Sequence, residues 1–323
     1  MAGTIAPRRR PADTRAGRWR RAAAGGSLGL ALALAGCTAG DDAGGAAASP
    51  APSPSSSAAP SPSPSWTSET FEVTRHDVRI VGTLEVPELA DGETVPLVIL
   101  MHGLAASQDA SVIRASATAL REAGIATIRF DFDGHGASGG TMLEMTVPHE
   151  IEDARAVYDY ARSLPFVSDI GLLGHSQGGV VAAMLAGELG DGVAGLMLLA
   201  PAVRIPDETA AGRLIDAVFD PANPPASVPV PALGIELGRD YLVTAQELAV
   251  RDVPARFTGP VSIVQGEADN LIPASDAEGY VTIFADAGLH LLPEQDHSFY
   301  YDPTEPARLA AAFFSDAFPG MPR

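Results

Sequence analysis

From residue 66 onward the chain alternates between apolar runs and amphipathic stretches. Phe71 to Val86 switches between apolar and polar positions, the pattern of a half-buried antiparallel hairpin. Pro96 to Met101 (PLVILM) is wholly apolar and leads into His102-Gly103, which predicts a strand buried on both faces. A helix is expected over Asp109–Ala123, and then a second buried strand over Ile125–Phe130. Pro148 opens a helix that runs to Arg162, with proline in its favoured first turn. Ile170–Leu173 predicts a strand, Gly178–Leu189 a helix and Leu196–Leu199 a strand. Strands near Val261–Val264 and Leu289–Leu292 come later, followed by a last helix from Pro306 to about Phe318. The alternation predicts an α/β domain with a mostly parallel central sheet and helices on both faces. In such a sheet the chemistry gathers at the carboxyl ends of the strands. Residues 201–254 break the rhythm. They are rich in proline, weakly periodic and inserted after the sixth strand, and irregular chain of this length is expected to be functional. We read them as a cap over the site.

Residues 1–65 obey other rules. Arg8-Arg9-Arg10 and Arg18-Trp19-Arg20-Arg21 form a basic start, Ala22 to Ala35 holds only Ala, Gly, Leu and one Ser, and Leu34-Ala35-Gly36-Cys37 follows. A charged start, a short apolar run and small residues before a cut describe an export signal over residues 1–36. The small residues suit a narrow peptidase subsite, and the Cys37 thiol can accept a diacylglyceryl group, so the segment looks like a bacterial lipobox. The Arg20-Arg21 pair leaves the export route open between the general and twin-arginine systems. From Ser49 to Ser65 only Ser, Pro and Ala occur, a composition that cannot bury a core. Residues 37–65 are therefore expected to tether the domain, at a reach of up to about 80 Å from an anchor. Residues 66–323 remain as one domain lipid-anchored on the outer face of the cell membrane.

Charge narrows the partners. The sequence has 323 residues, of which 46% are apolar, and its 21 basic residues are all arginines. Seven of these precede Gly25, which leaves 14 arginines against 39 acids after Cys37. A chain this acidic is repelled by phosphate backbones and anionic lipid, so no nucleic-acid partner is expected, and membrane contact only through Cys37. A lone cysteine excludes an internal disulfide framework and a thiolate zinc cluster. No H-x-x-x-H pair and no glycine-rich phosphate loop is present, so neither metal nor other cofactor is expected.

The chemistry starts at Gly174-His175-Ser176-Gln177-Gly178-Gly179. This G-x-S-x-G string lies between a predicted strand and a predicted helix, the setting a nucleophile elbow requires. The turn is cramped, so side chains at 174 and 178 would clash, and the following helix points its positive end at the site. A serine hydroxyl needs a base, and the base needs an acid to orient it. The chain order Ser–Asp–His places that acid after the next-to-last strand, in Gly266-Glu267-Ala268-Asp269-Asn270, and the base after the last, in Asp296-His297-Ser298. Asp269 and His297 fill these roles, with Glu267 as the rival acid and Asp296 as a solvated loop charge. The amides of Leu104 and Gln177 are the expected oxyanion donors. His102 reads as structural, His135 as shaping the site and His175 as packing, while His76, His149 and His290 carry no pattern.

Together "FDFDGHGASGG", "MTVPHEIEDA", "LLGHSQGG", "LMLLAPA", "LGRDYLVTAQEL" and "DHSF" resemble the bacterial cinnamoyl/feruloyl esterase branch of the α/β-hydrolases, from about Phe71 to Phe318. The resemblance implies the α/β-hydrolase fold and hydrolysis of small-molecule esters of hydroxycinnamic or shorter acids. It also implies that cap residues grip the aromatic acid. The matching tyrosine is Tyr241, and the acid that meets the phenolic hydroxyl falls at Glu208, with Asp207 beside it. A cap glutamine of the family is replaced here by Ile215. The alternatives are a hydrolase of lipid, polyester or peptide on the same fold, or a non-catalytic binding lipoprotein.

Overall fold

A computed structural model describes residues 65–321. The expected export signal and Cys37, and all but the last residue of the tether, lie outside these residues. β1 (Trp66–Arg75) and β2 (Val78–Pro87) form the opening antiparallel hairpin, in register from Trp66↔Pro87 to Arg75↔Val78. β3 (Val95–Met101), α1 (Ser111–Glu122), β4 (Ala126–Phe130), α2 (Val147–Ser163), β5 (Val167–His175), α3 (Gln177–Leu189) and β6 (Gly195–Leu199) then alternate as the pattern demands. The inserted segment holds α4 (Ile205–Ala210), β7 (Arg213–Leu214), β8 (Ala217–Val218), β9 (Ser227–Val230), β10 (Ile235–Gly238) and α5 (Arg239–Thr244). The core resumes with β11 (Val261–Gly266), α6 (Ala274–Tyr280), β12 (Ala287–Leu292) and α7 (Thr304–Ala317).

Eight strands make one sheet in the order β1-β2-β4-β3-β5-β6-β11-β12, and β2 alone runs against its neighbours. Successive residues of a central strand feed opposite layers, as a two-residue side-chain repeat requires. Leu97, Ile99 and Met101 of β3 pack with α2 and α3, whereas Val98 and Leu100 pack with Val112, Ile113 and Leu120 of α1 and Phe314 of α7. Both faces are covered, so β3, β5, β6 and β11 can be apolar almost throughout. β3 and β5 are neighbours although the chain visits β4 between them, and this strand-order reversal opens a crevice at their carboxyl ends.

The cap departs from the expected irregular chain. β7 and β8 form a two-residue-per-strand hairpin, and β9 pairs with β10 from Ser227↔Gly238 to Val230↔Ile235. Leu214, Ala217, Val228, Val230, Leu237, Tyr241 and Leu242 are buried in the same cluster as the inner faces of α2 and α3. The cap is thus packed onto the domain. Its exit runs so close to α3 that a Cβ on Gly187 would stand 2.1 Å from the Val253 carbonyl oxygen.

Candidate active site

The elbow is built by sterics. Ser176 adopts φ 54°, ψ −121°, a conformation that L-residues rarely occupy and that is held only by its surroundings. A Cβ on Gly174 would lie 2.1 Å from the Gly178 carbonyl oxygen, and one on Gly178 would lie 2.3 Å from that of His102. The clash expected at 174 and 178 therefore exists, and glycine is obligatory at both. Ser176 N–H donates to Leu199 O at 2.9 Å, tying the turn to the end of β6.

Ser176, His297 and Asp269 come together at the carboxyl ends of β5, β12 and β11. The Ser176 hydroxyl lies 2.9 Å from His297 Nε2, and His297 Nδ1 lies 2.8 Å from Asp269 Oδ2. A carboxylate can only accept there, so Nδ1 carries the proton and Nε2 is the free base facing Oγ. Asp269 Oδ1 accepts from the Leu271 and Ile272 N–H groups at 2.8 Å each, and Gln265 Nε2 donates to Oδ2 at 2.8 Å. Burial alone would push this carboxyl up, but the His297 hydrogen bond and charge, with the Ile272 and Leu271 amides, hold it below the ordinary carboxylate range. The rival Glu267 is exposed, and Asp296 accepts from Tyr300 N–H. Such a chain can draw the proton from a serine hydroxyl while the carboxylate steadies the imidazolium.

The segment expected to supply the first oxyanion donor follows β3. The pairing Met101↔Gly174 lays His102-Gly103-Leu104 alongside the elbow, and a Cβ on Gly103 would sit 2.9 Å from Ser176 Cβ. Leu104 N–H makes no hydrogen bond among the described residues, and Gln177, first in α3, has no intrahelical acceptor for its own N–H. Two histidines shape this loop. His102 donates from Nδ1 to Gly103 O (2.8 Å) and accepts Phe132 N–H at Nε2 (3.2 Å). His135 donates from Nδ1 to Asp133 O (2.8 Å) and accepts Ala105 N–H at Nε2 (3.2 Å). Burial pushes His102 down to about 3, with His135 adding to it, and burial also lowers His135. Both are neutral struts. Burial, then the His297 charge, pushes His175 down to about 4, and its Nε2 donates to the His297 carbonyl at 2.8 Å. The ring expected to pack also fixes the backbone of the base.

The cap residues arrive differently from the expectation. Tyr241 is wholly buried, and its hydroxyl donates to Gln177 Oε1 at 2.7 Å, so it contacts the elbow helix and offers no surface to an open acyl pocket. Burial, followed by the charges of Glu150 and Glu208, raises its hydroxyl pKa. Gln177 Nε2 in turn donates to Glu150 Oε2 at 2.8 Å. The sequence did not single out Glu150, since an acid in the first turn of a helix satisfies the helix dipole and reads as solvated. Glu208 and Asp207 lie on α4 beside a cavity of ≈ 360 Å³, shared with Arg204, Arg213, Arg251 and Asp276. Neither Ser176 nor Tyr241 lines that cavity. Arg204 sits 3.7 Å from Glu208 and 3.4 Å from Asp276, and burial raises the pKa of both acids. Ile215 occupies the β7–β8 turn at φ 56°.

Comparison with known proteins fits this geometry. A family model described as serine aminopeptidase, S33, matches residues 92–245. A structure of Est1E from Butyrivibrio proteoclasticus with ferulic acid bound is 30% identical, covers 76% of this chain and 98% of that one, and gives a TM-score of 0.73. A second Est1E structure from that organism is 28% identical, covers 77% of this chain and 98% of that one, and gives 0.71. An uncharacterized 31.7 kDa protein of Escherichia coli, from the traX-finO intergenic region, is 34% identical over 112 residues, which are 33% of this chain. The chain spans only 38% of the length of that relative. The chain belongs to the α/β-hydrolase superfamily of serine esterases and resembles its feruloyl esterase branch.

Proposed function

We propose that the protein is a carboxylic-ester hydrolase working through an acyl-enzyme on Ser176. His297 Nε2 takes the hydroxyl proton as Oγ attacks the ester carbonyl carbon, and the Leu104 and Gln177 amides hold the resulting oxyanion. Collapse expels the alcohol, which receives its proton from His297. Water, deprotonated by His297, then cleaves the acyl-enzyme to the carboxylic acid and restores Ser176. The observation that carries this reading is the unbroken hydrogen-bonded line Ser176–His297–Asp269 at a strained elbow. Ser176→Ala tests it: hydrolysis of p-nitrophenyl acetate is expected to vanish with the fold intact, and more than a tenth of wild-type kcat in the variant would refute it.

The substrates we propose are hydroxycinnamoyl or short-chain acyl esters, a reading supported by the likeness to Est1E, which binds ferulic acid. A peptide substrate is the second reading, favoured by the family model's description. Methyl ferulate, p-nitrophenyl esters of rising chain length and an aminoacyl p-nitroanilide, measured side by side, separate the two. We further propose that the enzyme acts outside the cell membrane, tethered through lipid on Cys37. The basic start, the apolar run and the small residues before that cysteine support this placement.

A further inference from the structure

The first turn of a helix usually takes support from the side chain of its N-cap residue, which satisfies an orphan amide. In α3 that residue is Ser176, and its side chain caps nothing, because Oγ faces His297. The turn that presents the Gln177 N–H is also entered at positive φ. Something else must hold it.

The Gln177 side chain is gripped from two sides. Tyr241 Oη donates to its Oε1 at 2.7 Å, and its Nε2 donates to Glu150 Oε2 at 2.8 Å. The three residues come from the cap helix α5, the elbow helix α3 and the core helix α2, and none is more than 1% exposed. We propose that Glu150 and Tyr241 are positioning residues for the oxyanion amide. By clamping the Gln177 side chain they fix the first turn of α3, and they make the oxyanion site depend on a seated cap. The inference rests on the esterase reading above and goes beyond it, giving Tyr241 a role in the chemical step for every acyl group.

The charge state fits. Glu150 faces Asp153 on its own helix, Asp133 from the loop after β4, Gln177 on α3 and Tyr241 on α5, and the nearby Arg75 is held by Asp133 and Asp153. Burial, then the charges of Asp153 and Asp133, pushes its carboxyl well above the ordinary range despite the Gln177 hydrogen bond. A neutral carboxyl keeps negative charge away from the helix end where the oxyanion develops. An ionised one would oppose it.

The test is a set of three variants, Tyr241→Phe, Glu150→Leu and Glu150→Gln, assayed on p-nitrophenyl acetate and methyl ferulate with a phenylboronic acid as a tetrahedral mimic. Tyr241→Phe and Glu150→Leu are expected to lower kcat about tenfold on both esters, part of the ~100- to 1000-fold that loss of a whole oxyanion donor costs. KM should stay within twofold, and the boronic acid should bind correspondingly weaker. Glu150→Gln keeps an uncharged acceptor for Gln177 and should retain activity within threefold. Tyr241→Phe removes one oxygen from a buried ring, so it keeps the test valid should Glu150→Leu fold poorly. Unchanged kcat on acetate in Tyr241→Phe, or a loss confined to KM for ferulate, overturns the positioning role and makes Tyr241 a contact of the acyl group. Were the wild type inert toward every ester, the esterase reading would fall with it.

Discussion

Asp269→Asn is the most informative single substitution at this site, because the surroundings dictate how the new amide must sit. Oδ1 accepts two backbone N–H groups, from Leu271 and Ile272, so the asparagine carbonyl oxygen has to stay there. The NH2 group is then forced into the place of Oδ2, where His297 Nδ1–H and Gln265 Nε2–H both point. Two donors would face a third. The imidazole escapes by moving its proton to Nε2, and that nitrogen can no longer take a proton from Ser176. A reversed tautomer of this kind costs about 10⁴ in kcat, or about 5 kcal/mol on the barrier. The fold should suffer far less, because the two backbone bonds survive; we expect about 1–3 kcal/mol from the disrupted side-chain contacts. In the wild type, the Asp269 folded-state pKa lies below its unfolded value. Its contribution to stability is therefore full above the unfolded pKa and is lost as pH falls through the folded one. The assay is kcat on p-nitrophenyl butyrate with a burst titration of active sites, alongside urea unfolding. Glu267→Gln serves as the control and should behave as wild type, since Glu267 is exposed. If Asp269→Asn keeps more than a hundredth of wild-type kcat, or Glu267→Gln shows the larger loss, the assignment of the acid is wrong.

The remaining expectations probe other parts of the molecule. Gly178→Ala places a Cβ 2.3 Å from the His102 carbonyl oxygen and should lower stability by about 1–3 kcal/mol and kcat at least tenfold, read by thermal melting and the acetate assay. Arg75→Met strands Asp133 and Asp153, held at 2.6 and 2.5 Å, and should cost about 3–5 kcal/mol in urea unfolding at neutral pH. That deficit should narrow as pH falls toward about 6, because burial raises both carboxyls, Asp153 to about 6 even beside Arg75, and protonation removes the stranded charge. Glu208→Ala and Asp207→Ala should reduce the ferulate/acetate ratio of kcat/KM by about 10- to 150-fold if either carboxylate meets a buried phenol. A ratio within twofold of wild type in both, and in the double variant, removes that contact. Cys37→Ser should abolish palmitate labelling and membrane fractionation of the protein expressed in a bacterium, and persistent label would refute the lipobox.

The parts of the site legible in the sequence are those that long-range order and hard sterics dictate. β3 and β5 are covered on both faces, so their apolar runs announce them, and a cramped elbow requires Gly174 and Gly178 whatever the substrate. Asp269 and His297 follow the carboxyl ends of β11 and β12, so their chain positions follow from the strand count. The cap offered no such handle. β7 and β8 are two residues long, too short to show a repeat, and Pro229 lies within β9. Side-chain direction was equally hidden. Tyr241 reads as a pocket residue by family resemblance, and only the packing of α5 against α2 brings its hydroxyl to Gln177. Glu150 reads as a helix-start acid, and its burial depends on the cap and on α3.

Backbone strain shows where the fold spends its stability. Of the seven non-glycine residues at positive φ among the described residues, five, Ala105, Ser176, Ala200, Glu294 and Phe299, lie in the segments after β3, β5, β6 and β12. Positions of this kind cost of the order of 1–3 kcal/mol each and persist only where the surroundings over-determine them. Four of them are pinned through their own N–H groups. Ala105 donates to His135 Nε2, Ser176 to Leu199 O, Ala200 to Val264 O and Phe299 to Asp296 O. The acceptors at Leu199 and Val264 belong to buried strands, and His135 is itself fixed by Asp133, which pairs with Arg75. The strained turns therefore lean on the stiffest parts of the molecule. The same logic accounts for the buried ion cluster around Arg75, far along the chain from the elbow. It braces the loop that carries His135, His135 braces Ala105, and the Leu104 amide precedes Ala105 directly.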